Sequence, residues 1–422
     1  MRIEDMRTEL IKYKHVWDSM EKKMYVKCLK KTSVFFLKVH KCGSSTVQNI
    51  LMRFGRHHQL YFVLPEINNY VGNPSHFSPE LIGQNVRLPD GEKYDIFAHH
   101  TRYSHKEVRS IMKKEAPFVA IMREPTALQV SMYSYYQMEH FYGVSLPKFL
   151  QLNLTYLEQA PRFWERVGRN QIAWDLGVTD AEMKMPYIFE KLANKVENEF
   201  DLVMITEFME ASLVLFADLM CWPLEEVRFI RLNALREVDN SNFKKPVLTE
   251  EEMSMLKKLN NLDIQLYSHF KERFKRRILD YGAERMISEV NQLIDMNSQL
   301  YNNCNLKVLE HGEGISSVIR YEAEINAPLI CKEIVLNEQD FTDIIRTEQE
   351  EHIKDRGPSE IELGNSISTS KMGTQKECME ALKRDLLAYD AASLILGICI
   401  CGYDEDVFVV QGIWNTFLTK NL

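Results

Sequence analysis

The chain has no apolar run long enough to cross a bilayer: the longest, AASLILGICI at 391–400, is about half of the ~20 residues that a spanning helix needs. That stretch reads as a core helix or strand. The first 30 residues carry charges throughout and have no apolar h-region, so neither a signal peptide nor an anchor is visible there. Cysteine is sparse. The eight (28, 42, 221, 304, 331, 378, 399, 401) form no C-x-x-C pair and no Cys/His cluster at zinc spacing, which excludes a disulfide-dense scaffold and leaves the redox compartment open. An excess of positive charge is missing too. With 52 Lys and Arg against 60 Asp and Glu the net charge is −8, and a nucleic-acid partner is not expected because phosphate backbones call for a basic field. Any anionic ligand must be met by a local group of basic residues. Internal repeats and low-complexity blocks are also lacking.

What is present is ordinary globular material, 45% hydrophobic and 27% charged, in a length of 422 residues that suits one large α/β unit with appendages. Three segments follow the order strand, loop, helix. VFFLKV (34–39) leads through HKCGSS into Val47, Ile50, Leu51 and Phe54 at helical spacing, with Gly55 as the expected C-cap. PFVAIM (117–122) leads through Arg-Glu-Pro into TALQVSMYSYY, where Pro125 suits a first turn. FDLVMIT (200–206) leads into EFMEASLVLFADLMCW, and YDIFAHH (94–100) adds a fourth strand. Strands alternating with helices predict a mostly parallel, doubly wound α/β sheet. From Thr249, as N-cap, a long helix is expected to end near Gly282, followed by a second over about 284–303 and a polar loop near 357–374. One sequon, Asn153-Leu154-Thr155, is available if the chain enters the secretory pathway.

Between the first strand and its helix lies Lys38-Val39-His40-Lys41-Cys42-Gly43-Ser44-Ser45-Thr46, where free backbone N–H groups and the positive helix end make an anion site. Lys41 and three consecutive hydroxyls add donors. The nucleotide-binding pattern G-x-x-x-x-G-K-[ST] is not met, because the lysine precedes the only glycine. A second cation, Arg123, ends the strand 117–122, and Ser131 lies about two turns into the next helix. Ligands of doubly wound sheets bind beyond the carboxyl ends of the strands, so Lys41 and Arg123 are expected to face one crevice and a ligand with two separated phosphate-type groups. His99 and His100 end the strand candidate on the same edge, and strand alternation sends them to opposite faces.

FLKVHKCGSSTVQNILMRFG resembles the 5′-phosphosulfate loop, and IMREPTALQVSMYSYY the 3′-phosphate motif, of the galactose-3-O-sulfotransferases. FAHHTRY (97–103), GRNQIAWDLG (168–177), FDLVMITEFMEASLVLFADLMCWPLEEV (200–227) and LNNLDIQLYSHF (259–270) are similar in the same order. The resemblance covers roughly 33–280 and thins beyond 300. The chain is read as a polar segment (1–32), a catalytic domain (33–300) and an extension (301–422) expected to pack on the same unit, its role not carried over; the resemblance implies a P-loop-like sulfotransferase fold with a mostly parallel central sheet flanked by helices and a helical C-terminal part. It also implies 3′-phosphoadenosine 5′-phosphosulfate as co-substrate, no metal, and as acceptor a terminal galactose on a glycolipid of the galactosylceramide type or on a glycan.

On that reading Lys41 is catalytic and, with Cys42, Gly43, Ser44, Ser45 and Thr46, holds the 5′-phosphate; Arg123 and Ser131 hold the 3′-phosphate. The base is expected to be His100, since His100-Thr-Arg-Tyr103 is similar to the segment that carries it in related uronyl sulfotransferases, with His99 second. Arg169 and Asn170 are candidates for substrate contacts, and Lys244 and Lys245 for closing over the donor. Cys42 departs from the family's usual threonine. Family members are typically Golgi proteins with an N-terminal membrane anchor, so a Golgi lumenal, membrane-associated protein is implied, and the chain as written is either shortened at its start or a form without that anchor. The competing readings are a P-loop-type kinase, which requires magnesium and an acidic strand end, and a non-catalytic glycan-binding relative.

Overall fold

Residues 28–231, 246–309 and 319–356 are described by a computed structural model. The chain divides after Gly357, and every described residue belongs to the first unit. Residues 1–27 of the expected polar segment, Lys244 and Lys245, the polar stretch 357–374 and the apolar run 391–400 lie outside the described residues.

Strands β1 (Val34–Leu37), β2 (Ile96–Phe97), β3 (Phe118–Met122) and β4 (Leu202–Ile205) form one parallel sheet in the order β2-β1-β3-β4. Phe35 pairs with both Phe97 and Phe118, and Val119 with Leu202. The two central strands are buried on both faces, which is why their sequences are continuous apolar runs rather than alternating ones. Phe35 anchors the aromatic core, with ring centroids 4.8 Å from Phe118, 5.3 Å from Phe97 and 5.4 Å from Tyr103. The strand expected over 94–100 shrinks to two residues. Beyond them single parallel bridges, Tyr70 to His100 and His76 to Arg102, carry the edge onward as an irregular ladder.

The helices are α1 (Ser44–His57), α2 (His105–Ile111), α3 (Pro125–Tyr135), then short α4 (Met138–Tyr142), α5 (Leu146–Leu150), α6 (Leu154–Gln159) and α7 (Gln171–Asp175). After these come α8 (Ile188–Glu199), α9 (Met209–Met220), α10 (Glu250–Leu259), α11 (Asn261–Tyr281), α12 (Ala283–Asn303), α13 (Leu329–Ile334) and α14 (Glu338–Asp355). Gly55 is not the cap of α1. The helix runs two residues past it, and a Cβ there would lie 2.2 Å from the ring of Phe62, so glycine is required by close packing rather than by helix termination. Thr249 caps α10 in a full capping box with Glu252, but the expected long helix is interrupted at Asn260 before α11 resumes and ends at Gly282.

The segment 319–356 packs on α1. Glu333 of α13 meets His57 at 2.8 Å, and the buried amide of Gln349 on α14 both accepts from Phe62 N (2.7 Å) and donates to Phe62 O (3.0 Å). A short antiparallel pair, β5 (Lys307–Val308) with β6 (Tyr321–Glu322), precedes these helices. Disulfides join Cys304 to Cys331 and Cys28 to Cys221. Among the described residues no helix is long and apolar enough to cross a membrane.

Candidate active site

Strand order places the site. From β1 the chain crosses to β2 on one side and then returns to β3 on the other, so the carboxyl ends of β1 and β3 flank the topological switch point. Lys41 follows β1 and Arg123 follows β3, and Arg123 Nη1 donates to the Lys41 carbonyl at 2.9 Å. Thr206, at the end of β4, bonds through its hydroxyl to the carbonyls of Cys42 (2.6 Å) and Met122 (3.0 Å), tying the three strand ends together.

The loop itself is tightly wound. Lys41 and Gly43 both have positive φ (53° and 70°), which favours glycine at 43, and a Cβ there would lie 2.8 Å from Met209 Cε and displace it. Gly43 stands at the N-cap of α1 and has no side chain to cap the first turn; Thr46 N donates to Gly43 O at 3.1 Å, and the N–H groups before it face the open helix end, where an anion is favoured. Ser44 is turned the other way, its hydroxyl donating to Val39 O at 2.8 Å, and so braces the loop with its side chain. Ser45 is half-buried and Thr46 buried. The Cys42 thiol is fully buried, and burial pushes its pKa well up, so it stays a thiol.

The ammonium of Lys41 sits 3.3 Å from the ring centroid of Tyr135 on α3. Burial first, then the charges of Arg123 and Lys38, lower its pKa to about 7. Three cations gather there and Lys38 is paired with Glu338 at 2.8 Å, so the positive charge of Lys41 and Arg123 is what an anionic ligand relieves. Ser131 is buried one helical turn before Tyr135, on the same face of α3.

Behind the loop are two buried side-chain sets. His40, fully buried, directs Nδ1 at Asp175 (2.8 Å) and Nε2 at the Tyr70 hydroxyl (3.1 Å); Asp175 also accepts from His40 N at 2.9 Å and from Gln171 Nε2 at 2.9 Å. His100 stacks on His40 with centroids 4.1 Å apart. Its Nδ1 faces Lys38 O at 3.0 Å and its Nε2 the Lys38 ammonium at 2.8 Å, so the ring is neutral, with its lone pair already engaged. Burial, then the Lys38 charge, hold its pKa well below the usual imidazole value. His99 points away to Thr342 of α14 (3.0 Å), as strand alternation requires, and burial lowers its pKa to about 4.

The short helix α7 that delivers Asp175 is fixed from α11. Asp263 accepts from Ile172 N (2.8 Å) and Ala173 N (2.9 Å), although burial pushes its carboxyl up to about 7. Asp263→Ala strands two buried donors and is expected to cost about 2–3 kcal/mol in urea unfolding, whereas an exposed substitution such as Lys257→Ala on α10 stays within about 0.5 kcal/mol.

Asn170 and Arg169, candidates for substrate contacts, both line one open pocket and are also bonded within the fold. Asn170 donates its backbone N–H to Asn260 Oδ1 (2.8 Å), while its own side-chain oxygen accepts from Asp263 N (3.2 Å) and so joins α7 to α11. Arg169 is paired with Asp180 at 3.0 Å and donates to Ala160 O at 3.2 Å. Glu207, the acidic residue nearest the end of β4, is likewise occupied by Glu124 N and the Tyr267 hydroxyl. Among the described residues no group of three or more His, Cys, Asp and Glu is placed to hold a metal. His40, Asp175, Tyr70, Lys38 and Glu338 carry no role in the sequence reading. His40 and Lys38 stand within its phosphate loop and Asp175 within GRNQIAWDLG, but pairings over 135 and 300 residues leave no periodic trace.

Comparison with known proteins bears on the family. The galactose-3-O-sulfotransferase family model matches residues 16–316. Human galactosylceramide sulfotransferase is 33% identical over 289 residues, covering 66% of this chain and 65% of the relative. The bovine galactose-3-O-sulfotransferase 3 is 30% identical over 286 residues, covering 65% of this chain and 64% of the relative. The pig galactose-3-O-sulfotransferase 2 is 30% identical over 341 residues, covering 75% and 84% respectively. The match therefore spans about 65% of the length of the galactosylceramide sulfotransferases. With the family model spanning the sheet, the phosphate loop and α11, the chain belongs to the galactose-3-O-sulfotransferase family.

Proposed function

We propose that the protein transfers the sulfuryl group of 3′-phosphoadenosine 5′-phosphosulfate to the 3-hydroxyl of a terminal galactose on a glycolipid of the galactosylceramide type or a glycan. The observation that carries this reading is the convergence of Lys41 and Arg123 on the open N-terminus of α1 at the switch point. The N–H groups of Gly43 to Ser45, the Thr46 hydroxyl and the Lys41 ammonium receive the 5′-phosphate, and Arg123 with Ser131 the 3′-phosphate. As the sugar oxygen bonds to sulfur, the bond from sulfur to the bridging oxygen breaks and adenosine 3′,5′-bisphosphate leaves with the electron pair. Lys41 then meets the charge that develops on the bridging oxygen.

The hydroxyl proton needs an acceptor, and His40 suits the task better than His100. Asp175 holds the proton on His40 Nδ1 and leaves Nε2 as the basic nitrogen, where the Tyr70 hydroxyl now marks the position of an incoming alcohol. His100 stacks behind it and orients Lys38.

Arg166 and Trp164 are the acceptor contacts of this reading. The guanidinium of Arg166 lies 4.7 Å over the Tyr70 ring, and Trp164, in the same short loop, is 71% exposed at a positive φ of 48°. An indole held open two residues from the guanidinium that covers Tyr70 suits the apolar face of galactose. Trp164→Ala is expected to raise the acceptor KM about tenfold with kcat nearly unchanged, as initial-rate kinetics would show. The two disulfides suit an oxidising compartment such as the Golgi lumen, where the family works.

Incubation with the phosphosulfate donor and galactosylceramide tests the whole reading. Product sulfated at galactose O3, and none from a 3-deoxy acceptor, is the expected result. Phosphoryl transfer from magnesium-ATP would favour the kinase alternative, and binding of glycan without turnover a non-catalytic relative.

A further inference from the structure

Lys38 is buried to 1% exposure at the carboxyl end of β1, and its ammonium has two partners: His100 Nε2 and Glu338 Oε2, each at 2.8 Å. Glu338 opens α14, beyond residue 316 where the family match ends. Its second oxygen, Oε1, is buried without a hydrogen bond of normal geometry, although the Gln48 amide lies beside it. Thr342, one turn further along α14, takes His99. One helix from outside the family-matched region thus touches both histidines at the end of β2, directly or through Lys38.

A buried ion pair contributes little to stability, because desolvating both charges offsets their attraction. This pair instead lies at the head of a contact chain into the candidate site: Glu338 to Lys38, Lys38 to His100, and His100 face to face with His40. An ammonium buried without a counter-charge drifts toward the neutral form. A neutral Lys38 would release the His100 tautomer and withdraw positive charge from the crevice.

We propose that Glu338 is a positioning residue for sulfuryl transfer, its carboxylate keeping Lys38 charged and fixed on His100 so that the His40 ring stays aligned for the acceptor hydroxyl. The segment 319–356 therefore completes the active site from outside the region that defines the family. This inference rests on the sulfotransferase reading above.

Around the pair, Lys41 comes from the phosphate loop, His99 and His100 from the end of β2, Tyr135 and Tyr136 from the region of α3, and Arg346 from α14 itself, with His40 and Tyr70 behind. Burial opposes ionisation of Glu338, but the Lys38 charge and hydrogen bond, with His99 and Gln48, together outweigh it and hold the carboxyl below its ordinary range. Removing the carboxylate leaves a buried ammonium without its counter-charge, which disfavours the charged form. Activity that depends on the ammonium must then fade at lower pH.

The experiment is a pH–rate profile for sulfation of galactosylceramide by the full chain carrying Glu338→Gln, with adenosine 3′,5′-bisphosphate binding measured alongside. The expected result is a kcat reduced about tenfold or more, an alkaline limb displaced downward by about one pH unit, binding within about threefold of wild type, and the limb restored by Glu338→Asp. A superimposable profile with kcat within about twofold would overturn the proposal, as would lost binding with unchanged kcat. Should Glu338→Gln not fold, the apolar double variant Lys38→Met with Glu338→Leu decides, since such replacements of buried pairs are commonly tolerated. The proposal predicts that this variant folds and is inactive, and full activity contradicts it. A wild-type protein that transfers no sulfuryl group would overturn the sulfotransferase reading itself, a result distinct from an active wild type indifferent to Glu338.

Discussion

The His40→Ala protein is expected to sulfate its acceptor about 10³-fold more slowly than wild type while binding adenosine 3′,5′-bisphosphate within about threefold. The asymmetry follows from where the ring sits. Its polar contacts are to Asp175, Tyr70 and Gln171, none of them in the phosphate loop, so its loss removes a proton acceptor and not an anion contact. Asp175→Asn should share the defect, because an amide no longer holds the proton on Nδ1 of His40. His100→Ala is expected to lose less, about tenfold to 100-fold, since it removes a stacked support and frees Lys38. Single-turnover rates at saturating donor measure all three. A His100→Ala defect larger than that of His40→Ala would return the role of base to His100.

The second large effect is in donor affinity and its dependence on pH. Lys41 has its pKa lowered to about 7 by burial and by its cationic neighbours, so near neutrality about half of the free protein carries the ammonium. A phosphate dianion favours the charged form and raises the pKa in the complex, so binding takes up a proton. Affinity for adenosine 3′,5′-bisphosphate must therefore be greatest below pH 7 and fall about tenfold per pH unit above it, until the pKa of the complex is reached. Lys41→Met should bind more weakly and lose this slope. Calorimetric titrations between pH 6.5 and 9, in buffers of different ionisation enthalpy, give both the affinity and the proton uptake. A slope that persists in Lys41→Met would assign the titration to another group.

The same residues show which parts of this protein a linear reading can reach. The strands β1, β3 and β4 and the helix after each were visible because buried parallel strands are unbroken apolar runs and amphipathic helices repeat every 3.6 residues. The edge was harder: YDIFAHH has the composition of a strand, yet its ladder breaks into single bridges, which depend on where residues 61–77 run beside it. Gly55 looked like a helix terminus because glycine most often marks one, whereas here the neighbouring Phe62 ring demands it. In the site, Lys41 and Arg123 were legible since their meaning is set by the strand end just before each of them. The partners of His40 and Lys38 were not, because Asp175 and Glu338 arrive from α7 and α14 only when the chain is folded. The bonds by which Asn170 joins two helices were hidden for the same reason.

The central claim is that the crevice between β1 and β3 takes a nucleotide carrying separate 3′- and 5′-phosphates. Thermal-shift titration with adenosine 3′,5′-bisphosphate, adenosine 5′-monophosphate and magnesium-ATP tests it directly, because a ligand at 100 times its Kd stabilises by about 2.7 kcal/mol. The account predicts stabilisation by the bisphosphate well above that by the other two, and its loss in Arg123→Ala. Preference for magnesium-ATP, or a response to the bisphosphate that Arg123→Ala leaves intact, would contradict it.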